Sequence, residues 1–354
     1  MAIAISSSLD VDQLSSPDVA LINSQKKALA FLIMLIFGDE TINDFAGGSN
    51  FLILALVTLN LGGTYYARNI IVSVLVMIWA ARLAIFLLIR VINSGGKDTR
   101  FDDKRKKPAA MAIFYILQIL WVWIVSLPVT LLNSPAASVP SQGGGNPPLG
   151  ARDIAGIVMW SIGFICEVVA DFHKFAWRFS NPPKSQFMRY GLWKFSRAPN
   201  YFGEILLWWG IFVIVNSIAI SDIANGNVKK ALWASILSPI FTMILLLGLS
   251  GLPLTQKPTG KKFFLMSNGS DVDQRAIQDP DVKSAWSRYD EYVKETSILI
   301  PFPNFIYRRF PEFLRWIFLD FPFYRFNESK EGAKVLQEEE QKTKTNTEKS
   351  AMIT

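Results

Sequence analysis

One cysteine, Cys166, and one histidine, His173, are all that this 354-residue chain carries of the two residue types that most often hold soft metals. A single thiol excludes an intramolecular disulfide and any multi-cysteine metal site, and a single imidazole excludes a histidine cluster. No metal is implied. The opening residues, MAIAISSSLDVDQLSSPDVALINSQKKALAFLIMLIFG, lack the basic start, short apolar core and small-residue cleavage site of a signal peptide, so the spans themselves are expected to direct insertion. The Pro/Gly/Ser segment 133 to 150 contains GGG, yet no strand precedes it and no helix opens at its third glycine. It therefore lacks a dinucleotide fingerprint and reads as a flexible outer loop. No internal repeat is visible.

What the chain has in abundance is apolar surface: 51% hydrophobic residues and 13% aromatics, with a mean hydropathy of +0.27. This composition places it in the membrane. Its formal net charge of +7 fits Lys and Arg held in loops on the cytosolic side, and no groove-entering motif supports nucleic-acid binding. Apolar runs cover about 28 to 37, 51 to 63, 70 to 92, 109 to 132, 153 to 172, 199 to 220 and 231 to 250. A span needs roughly 20 apolar residues, so the last five qualify and the first two are short. The expectation is an all-α polytopic membrane protein of about six or seven transmembrane helices. The loops 93 to 107 and 173 to 197 and the region after 251 are basic, whereas 133 to 153 and 221 to 227 are nearly free of Lys and Arg. The basic loops should face the cytosol. Residues 297 to 326 mix Pro, Arg and aromatics in a way that suits an interfacial segment, and residues 326 to 354 read as a disordered charged tail.

The candidate chemistry begins in the fifth run. Glu167, Asp171, Lys174 and Arg178 fall at about 0°, 40°, −20° and 20° round a helix, one narrow stripe. An ionised side chain well inside the apolar zone costs about 2.5 to 3.5 kcal/mol unless it is paired or wet. Two readings stand open, a structural ladder of charges or a polar wall facing a ligand. A second wall follows in SRAPNYFGEILLWWG, Ser196 to Gly210. Pro199 suits a first helical turn, Ser196 is a plausible cap, and Asn200 and Glu204 share one face with Gly203 leaving room between them. Free N–H groups at that helix start, beside Arg197, Lys194 and Arg189, would seat phosphates. Arg82, in the middle of its run, calls for a buried partner such as Glu167 or Glu204.

GLWKFSRAPNYFGEILLWWG, Gly191 to Gly210, resembles the signature of the membrane reductases related to steroid 5α-reductase and the sterol C=C reductases, most closely their DUF1295 branch. The usual form is Ser-Arg-His-Pro-Asn-Tyr-x-Gly-Glu followed by Trp-Trp-Gly. The likeness extends to Glu167 and Ala170-Asp171, to SGLPLTQKP and WSRYDEYVKETSILIPFP downstream, and to RLAIFLLIRVINSGGKDTRFDDKR upstream. It spans roughly residues 45 to 325, after an amino-terminal segment 1 to 44 with a short first apolar run. The resemblance implies cytosolic cofactor-binding loops, NADPH as cofactor and reduction of an activated double bond in a lipophilic substrate. A polar residue, an Asp four further on and an Arg seven beyond that contact the dinucleotide in the steroid enzymes; Glu167, Asp171 and Arg178 reproduce that spacing. Asn200 and Glu204 match the signature helix, with Lys174, Arg197 and Tyr201 beside them, and Tyr289 and Tyr292 match the family's paired tyrosines. Arg100, Asp102, Asp103 and Arg105 resemble its acidic-basic cluster near the cofactor mouth. Ala198 stands where most relatives have His, and Glu167 replaces an amide.

Hydride transfer needs a nicotinamide fixed near an electron-poor carbon, water excluded, and an acid that stabilises the charge developing on the substrate. For that acid the candidates are Tyr115 and Gln118, three apart on the fourth helix, with Tyr201 and Glu204 as alternatives. The substrate class is a steroid, sterol, polyprenoid or fatty enone entering from the bilayer, and kinship suggests the endoplasmic reticulum. Two other functions compete. One is an S-adenosylmethionine-dependent methyltransferase, because a shorter Arg-His-Pro-x-Tyr signature also occurs in the isoprenylcysteine methyltransferases. The other is a non-enzymatic lipid-binding membrane protein.

Overall fold

A computed structural model describes residues 43–93 and 108–351. Within them every regular element is helical. The main helices are α1 (Asn43–Gly62), α2 (Ala67–Asn93), α3 (Pro108–Val125), α4 (Ala151–Phe179) and α5 (Pro199–Ile220). After a broken run come α6 (Leu252–Asn268), α7 (Ala285–Glu295) and α8 (Glu328–Ala351). Among the described residues four stretches are long and apolar enough to cross a bilayer: Ala67–Ile89, Ala151–Phe179, Pro199–Ile220 and Gly226–Asn268. Gly47–Gly62 and Ile116–Val125 are shorter apolar helices. The protein is thus all-α and membrane-embedded, as its composition requires; in hydrocarbon a helix satisfies its backbone groups within its own segment. The first apolar run and the cluster Arg100, Asp102, Asp103 and Arg105 lie outside the described residues.

Pro128 explains why the run 109 to 132 is not one helix. It sits in the first turn of a separate short helix, Leu127–Leu132, where its missing N–H costs nothing. The last apolar run is also broken, turning π-helical over Ile244–Leu249 and restarting at Leu252 after Gly251.

The chain forms two compact units. Of the described residues, one comprises 43–93, 108–161 and 207–242, the other 162–206 and 243–351; α4 and α5 contribute residues to both. In the first unit α1 lies along α2, close enough that a Cβ on Gly48 would stand 3.1 Å from the Ala84 backbone nitrogen. Small residues at such crossings supply the close contact that helices in lipid need, since hydrocarbon offers them no hydrophobic drive to associate. Phe51, Trp79 and Trp208 pack edge to face, with Trp79 and Trp208 centroids 4.9 Å apart. One end of this unit is tied by the buried pair Arg68–Asp153, at 2.7 and 2.9 Å, whose guanidinium also donates to Asn146 and the Pro147 carbonyl. Beside it Asn69 and Asn133 share a neutral network with Thr64, Ser73 and Ser138. Arg82 lies over the Phe86 ring at 5.5 Å.

In the second unit the amino-terminal turn of α5 meets α4 backbone to backbone. A Cβ on Gly203 would stand 2.5 Å from the Gly163 oxygen and 2.7 Å from the Glu167 nitrogen. The room at Gly203 is therefore filled by the neighbouring helix, not left for a ligand. Within the carboxy-terminal residues 326 to 354, expected to be disordered, Glu328–Ala351 form a helix. Few as its apolar residues are, Val335 is buried with Phe326, Phe264 and Trp286 in one cluster. Lys257–Glu331 (2.8 Å) and Lys261–Glu338 (3.1 Å) flank that contact. An amphipathic helix with a narrow apolar stripe is stable where a partner covers the stripe.

Candidate functional site

The site lies in the second unit, where the loop between α4 and α5 folds back over helix α4. Tyr190 donates its hydroxyl to the His173 carbonyl at 2.9 Å. Gly191 then turns the chain with φ of +59°. That left-handed conformation favours glycine, and a Cβ here would also collide with the His173 imidazole. The turn delivers Trp193 to a buried position, its indole donating to the Ala170 carbonyl at 2.9 Å. The Lys174 ammonium sits 4.5 Å from the centroid of the same ring. From α7, the Tyr292 hydroxyl donates to the Trp193 carbonyl at 2.6 Å. Trp193 thus joins α4, the loop and α7.

The next residues enter a short two-stranded contact. Ser196 pairs with Ser297 in an isolated bridge, the Arg197 amide donates to the Ser297 carbonyl at 2.8 Å, and the Ser196 hydroxyl donates to the Leu299 carbonyl at 2.7 Å. The same hydroxyl accepts from the Ala198 amide at 3.1 Å, so Ser196 does serve the start of α5. Arg197 is directed inward, 4% exposed. It donates to the Thr296 carbonyl, to Gln256 and, at 2.6 Å, to Asp320. Asp320 also accepts from Tyr307 at 2.6 Å and from Arg325 at 2.7 Å. Burial works against ionisation of Asp320, but the two guanidinium groups and these hydrogen bonds outweigh it and hold the carboxyl below the usual carboxylate range. Burial, reinforced by the Asp320 charge, pushes the Tyr307 phenol up.

These contacts frame a cavity of about 340 Å³, within the size range of small-molecule sites. Lys174, Arg178, Arg197 and Lys262 line it, and no carboxylate among the described residues does. Its flat faces come from Trp177, Phe187, Trp193, Tyr201, Phe263, Tyr289 and Tyr292. Asn200, Gln186, Gln256, Thr255 and Thr259 add neutral hydrogen-bonding groups. Tyr289 stacks on Phe263 at 4.8 Å and meets Phe187 edge to face at 5.3 Å. Burial pushes its phenol up to about 12, the Arg197 charge opposing only in part.

Seven of the ten residues proposed from the sequence to hold a cofactor border this one cavity: Lys174, Arg178, Arg197, Asn200, Tyr201, Tyr289 and Tyr292. Glu167, Asp171 and Glu204 do not. Glu167 is 4% exposed on the stretch of α4 that packs against Gly203, and Asp171 lies within electrostatic reach of Lys174. All three engage in interactions inside the protein. Arg197 borders the space while its guanidinium anchors the carboxy-terminal segment. Of the catalytic candidates, Gln118 is buried in α3 of the first unit, and the Tyr115 side chain lies outside the described residues. Sequence reasoning passed over Trp193, Phe187, Thr255, Gln256, Lys262 and Asp320. TQKP carried a signal for two of them, and the lone acid in WIFLDFPFYRF for the last.

The chain belongs to the family described as DUF1295, a protein family of unknown function, whose sequence profile matches residues 30–266, well over half of the chain. No curated protein and no solved structure matches it.

Proposed function

We propose that this DUF1295 chain is a membrane-embedded reductase that takes NADPH in the basic cavity of its second unit and reduces an activated C=C bond in a lipophilic substrate. One observation carries the reading: four cationic side chains and seven aromatic ones surround a cavity that no carboxylate among the described residues lines. A dinucleotide with a pyrophosphate, a further phosphate and two flat rings needs that donor set, since charge-assisted hydrogen bonds to phosphate are the strong ones and aromatic faces take up the rings. The residues present fit the group. Lys174, Arg178 and Lys262 would hold the phosphates, while Trp193, Phe187 and Tyr289 would flank the rings and shed water. When bound, NADPH supplies the hydride.

The neutral groups give orientation. Asn200 in the first turn of α5 and Gln256 and Thr259 on α6 present amide and hydroxyl partners, and Tyr201 offers a hydroxyl able to donate a proton. The spans suit a substrate that arrives through the bilayer, such as a steroid, sterol, polyprenoid or fatty enone. Charge argues against the methyltransferase reading, because S-adenosylmethionine carries a sulfonium cation and no phosphate, a poor match for a wall of Lys and Arg.

The test is a titration of purified chain in nanodiscs with NADPH, NADH and S-adenosylmethionine, read by nicotinamide fluorescence and by calorimetry. NADPH binding that weakens as salt rises, followed by its oxidation on adding a lipophilic enone, is the expected result. Binding of S-adenosylmethionine alone, or of neither, would overturn the proposal.

A further inference from the structure

The helix that lines the cavity with Thr255, Thr259 and Lys262 carries a second basic face. Lys257 and Lys261 lie about 200° and 240° round α6 from Thr255. They face a separate groove of about 420 Å³ between α6 and α8, whose other wall holds Lys330 and Lys334. Four lysines stand in this groove against two carboxylates, Glu331 and Glu338. The carboxylates are already engaged, Glu331 by Lys257 at 2.8 Å and Glu338 by Lys261 at 3.1 Å. Lys330 and Lys334, one helical turn apart on α8 and both exposed, form no ion pair with a described residue. The groove is therefore a concave site with two more ammonium groups than carboxylates, Lys334 lying within electrostatic reach of the already paired Glu338.

Its surroundings point to the source of an anion. Leu249 is an exposed apolar side chain within the last candidate span, Gly226–Asn268, shortly before Lys257. The floor of the groove includes Pro253, Phe326 and Val335, so apolar and cationic surface meet at one place. The same boundary is fixed from the other side by the Tyr324 hydroxyl, which donates to the Leu247 carbonyl at 2.5 Å. Lysine clusters immediately beside a span on the basic side recognise anionic lipid headgroups. We infer that the groove between α6 and α8 binds the phosphorylated headgroup of an anionic phospholipid, with Lys330 and Lys334 as its principal ligands and acyl chains lying along Leu249. The site is independent of the nucleotide reading, because it lies on the opposite face of α6.

The test uses the full chain in detergent, titrated with a short-chain phosphoinositide and read by thermal unfolding. Phosphatidylcholine is the uncharged-headgroup control and a soluble inositol phosphate the lipid-free arm. The phosphoinositide should raise Tm in a dose-dependent, salt-sensitive way, with little effect from either control. The double variant Lys330→Gln/Lys334→Gln should need about thirty-fold more lipid for the same response, at about five-fold per lysine, with its Tm in phosphatidylcholine and its NADPH titration unchanged. Glu331→Gln, which frees Lys257 and removes a negative charge, should respond at lower lipid concentration. An unresponsive parent, a double variant that responds like the parent, or a Glu331→Gln variant that responds no more readily would overturn the inference. An equal response to soluble inositol phosphate would also overturn it, by assigning the groove to a free phosphate.

Discussion

Arg197 and Asp320, 123 residues apart in the chain, meet through a 2.6 Å contact between a guanidinium nitrogen and a carboxylate oxygen, with side-chain exposures of 2% and 0%. Neither charge tolerates such burial alone; each makes the other's position affordable. Removing one partner of a buried pair costs about 3 to 5 kcal/mol, whereas replacing both by apolar residues is often neutral. Asp320→Ala and Arg197→Met should each lower Tm strongly in detergent, and the double variant should be less destabilised than the two single changes sum to. Thermal unfolding of the four species checks this.

The same carboxyl gives a pH dependence whose sign is fixed. Its folded-state pKa is depressed, so its contribution is present above the unfolded value of about 3.9. It is lost as pH falls through the lower folded value. Asp320→Asn should therefore destabilise by a constant amount between neutral pH and about pH 5, and the gap from the parent should close under stronger acid. A gap that stayed constant into strong acid would contradict an ionised Asp320.

Alkaline pH probes Tyr289. Its phenol, pushed up to about 12 by burial, stays protonated in the folded chain while an unfolded tyrosine ionises near about 10. The unfolded state then binds fewer protons, and stability declines by about 1.4 kcal/mol per pH unit across that window. Tyr289→Phe should flatten the decline. Chemical unfolding of parent and variant on either side of the window measures it.

Helix contact at Gly203 makes a steric prediction. Ala at this position would put a methyl group 2.5 Å from the Gly163 oxygen, so α4 and α5 must part, at about 1 to 3 kcal/mol. Gly203→Ala should lower Tm and, by moving Asn200 and Tyr201, weaken NADPH binding as well. Unchanged values for both would mean that the helices part without cost.

Lys262→Ala should weaken NADPH binding about ten-fold or more, since a charge-assisted phosphate contact is worth about 1.5 to 3 kcal/mol, and should reduce the salt dependence of that binding. Fluorescence titration at two ionic strengths separates it from Tyr292→Phe. The latter loses the hydrogen bond to the Trp193 carbonyl and should cost stability, about 0.5 to 1.5 kcal/mol, without altering the salt slope.

Much of this architecture was legible because lipid imposes simple rules. Span length and apolar composition mark α2 and α5 to within a few residues and α4 apart from its last turns, which run on to Phe179, and Pro128 and Gly251 account for two breaks that hydropathy alone passes over. Among the basic residues of the cavity, Lys174 and Arg178 were visible on the fifth run and Arg197 in the RAPNY turn, while Lys262 was not. What periodicity cannot reveal is which neighbour fills a given face. Asn200 and Glu204 share a face with Gly203 on paper, yet α4 occupies the intervening space and only Asn200 borders the cavity. Arg197 read as a phosphate ligand because its partner lies 123 residues away, beyond any local pattern. The final helix read as disorder because one buried apolar side chain, Val335, is too little to register as a stripe until α6 is placed beside it.

The pairing of Ser196 with Ser297 sets a timetable for biogenesis. Translation delivers the RAPNY turn and the span after it long before Ser297 and Asp320 leave the ribosome. Throughout that interval the Arg197 guanidinium has no carboxylate and no strand partner, and it must remain hydrated at the membrane surface. Maturation of this half of the protein therefore waits for Asp320 to arrive, however early the spans themselves were threaded.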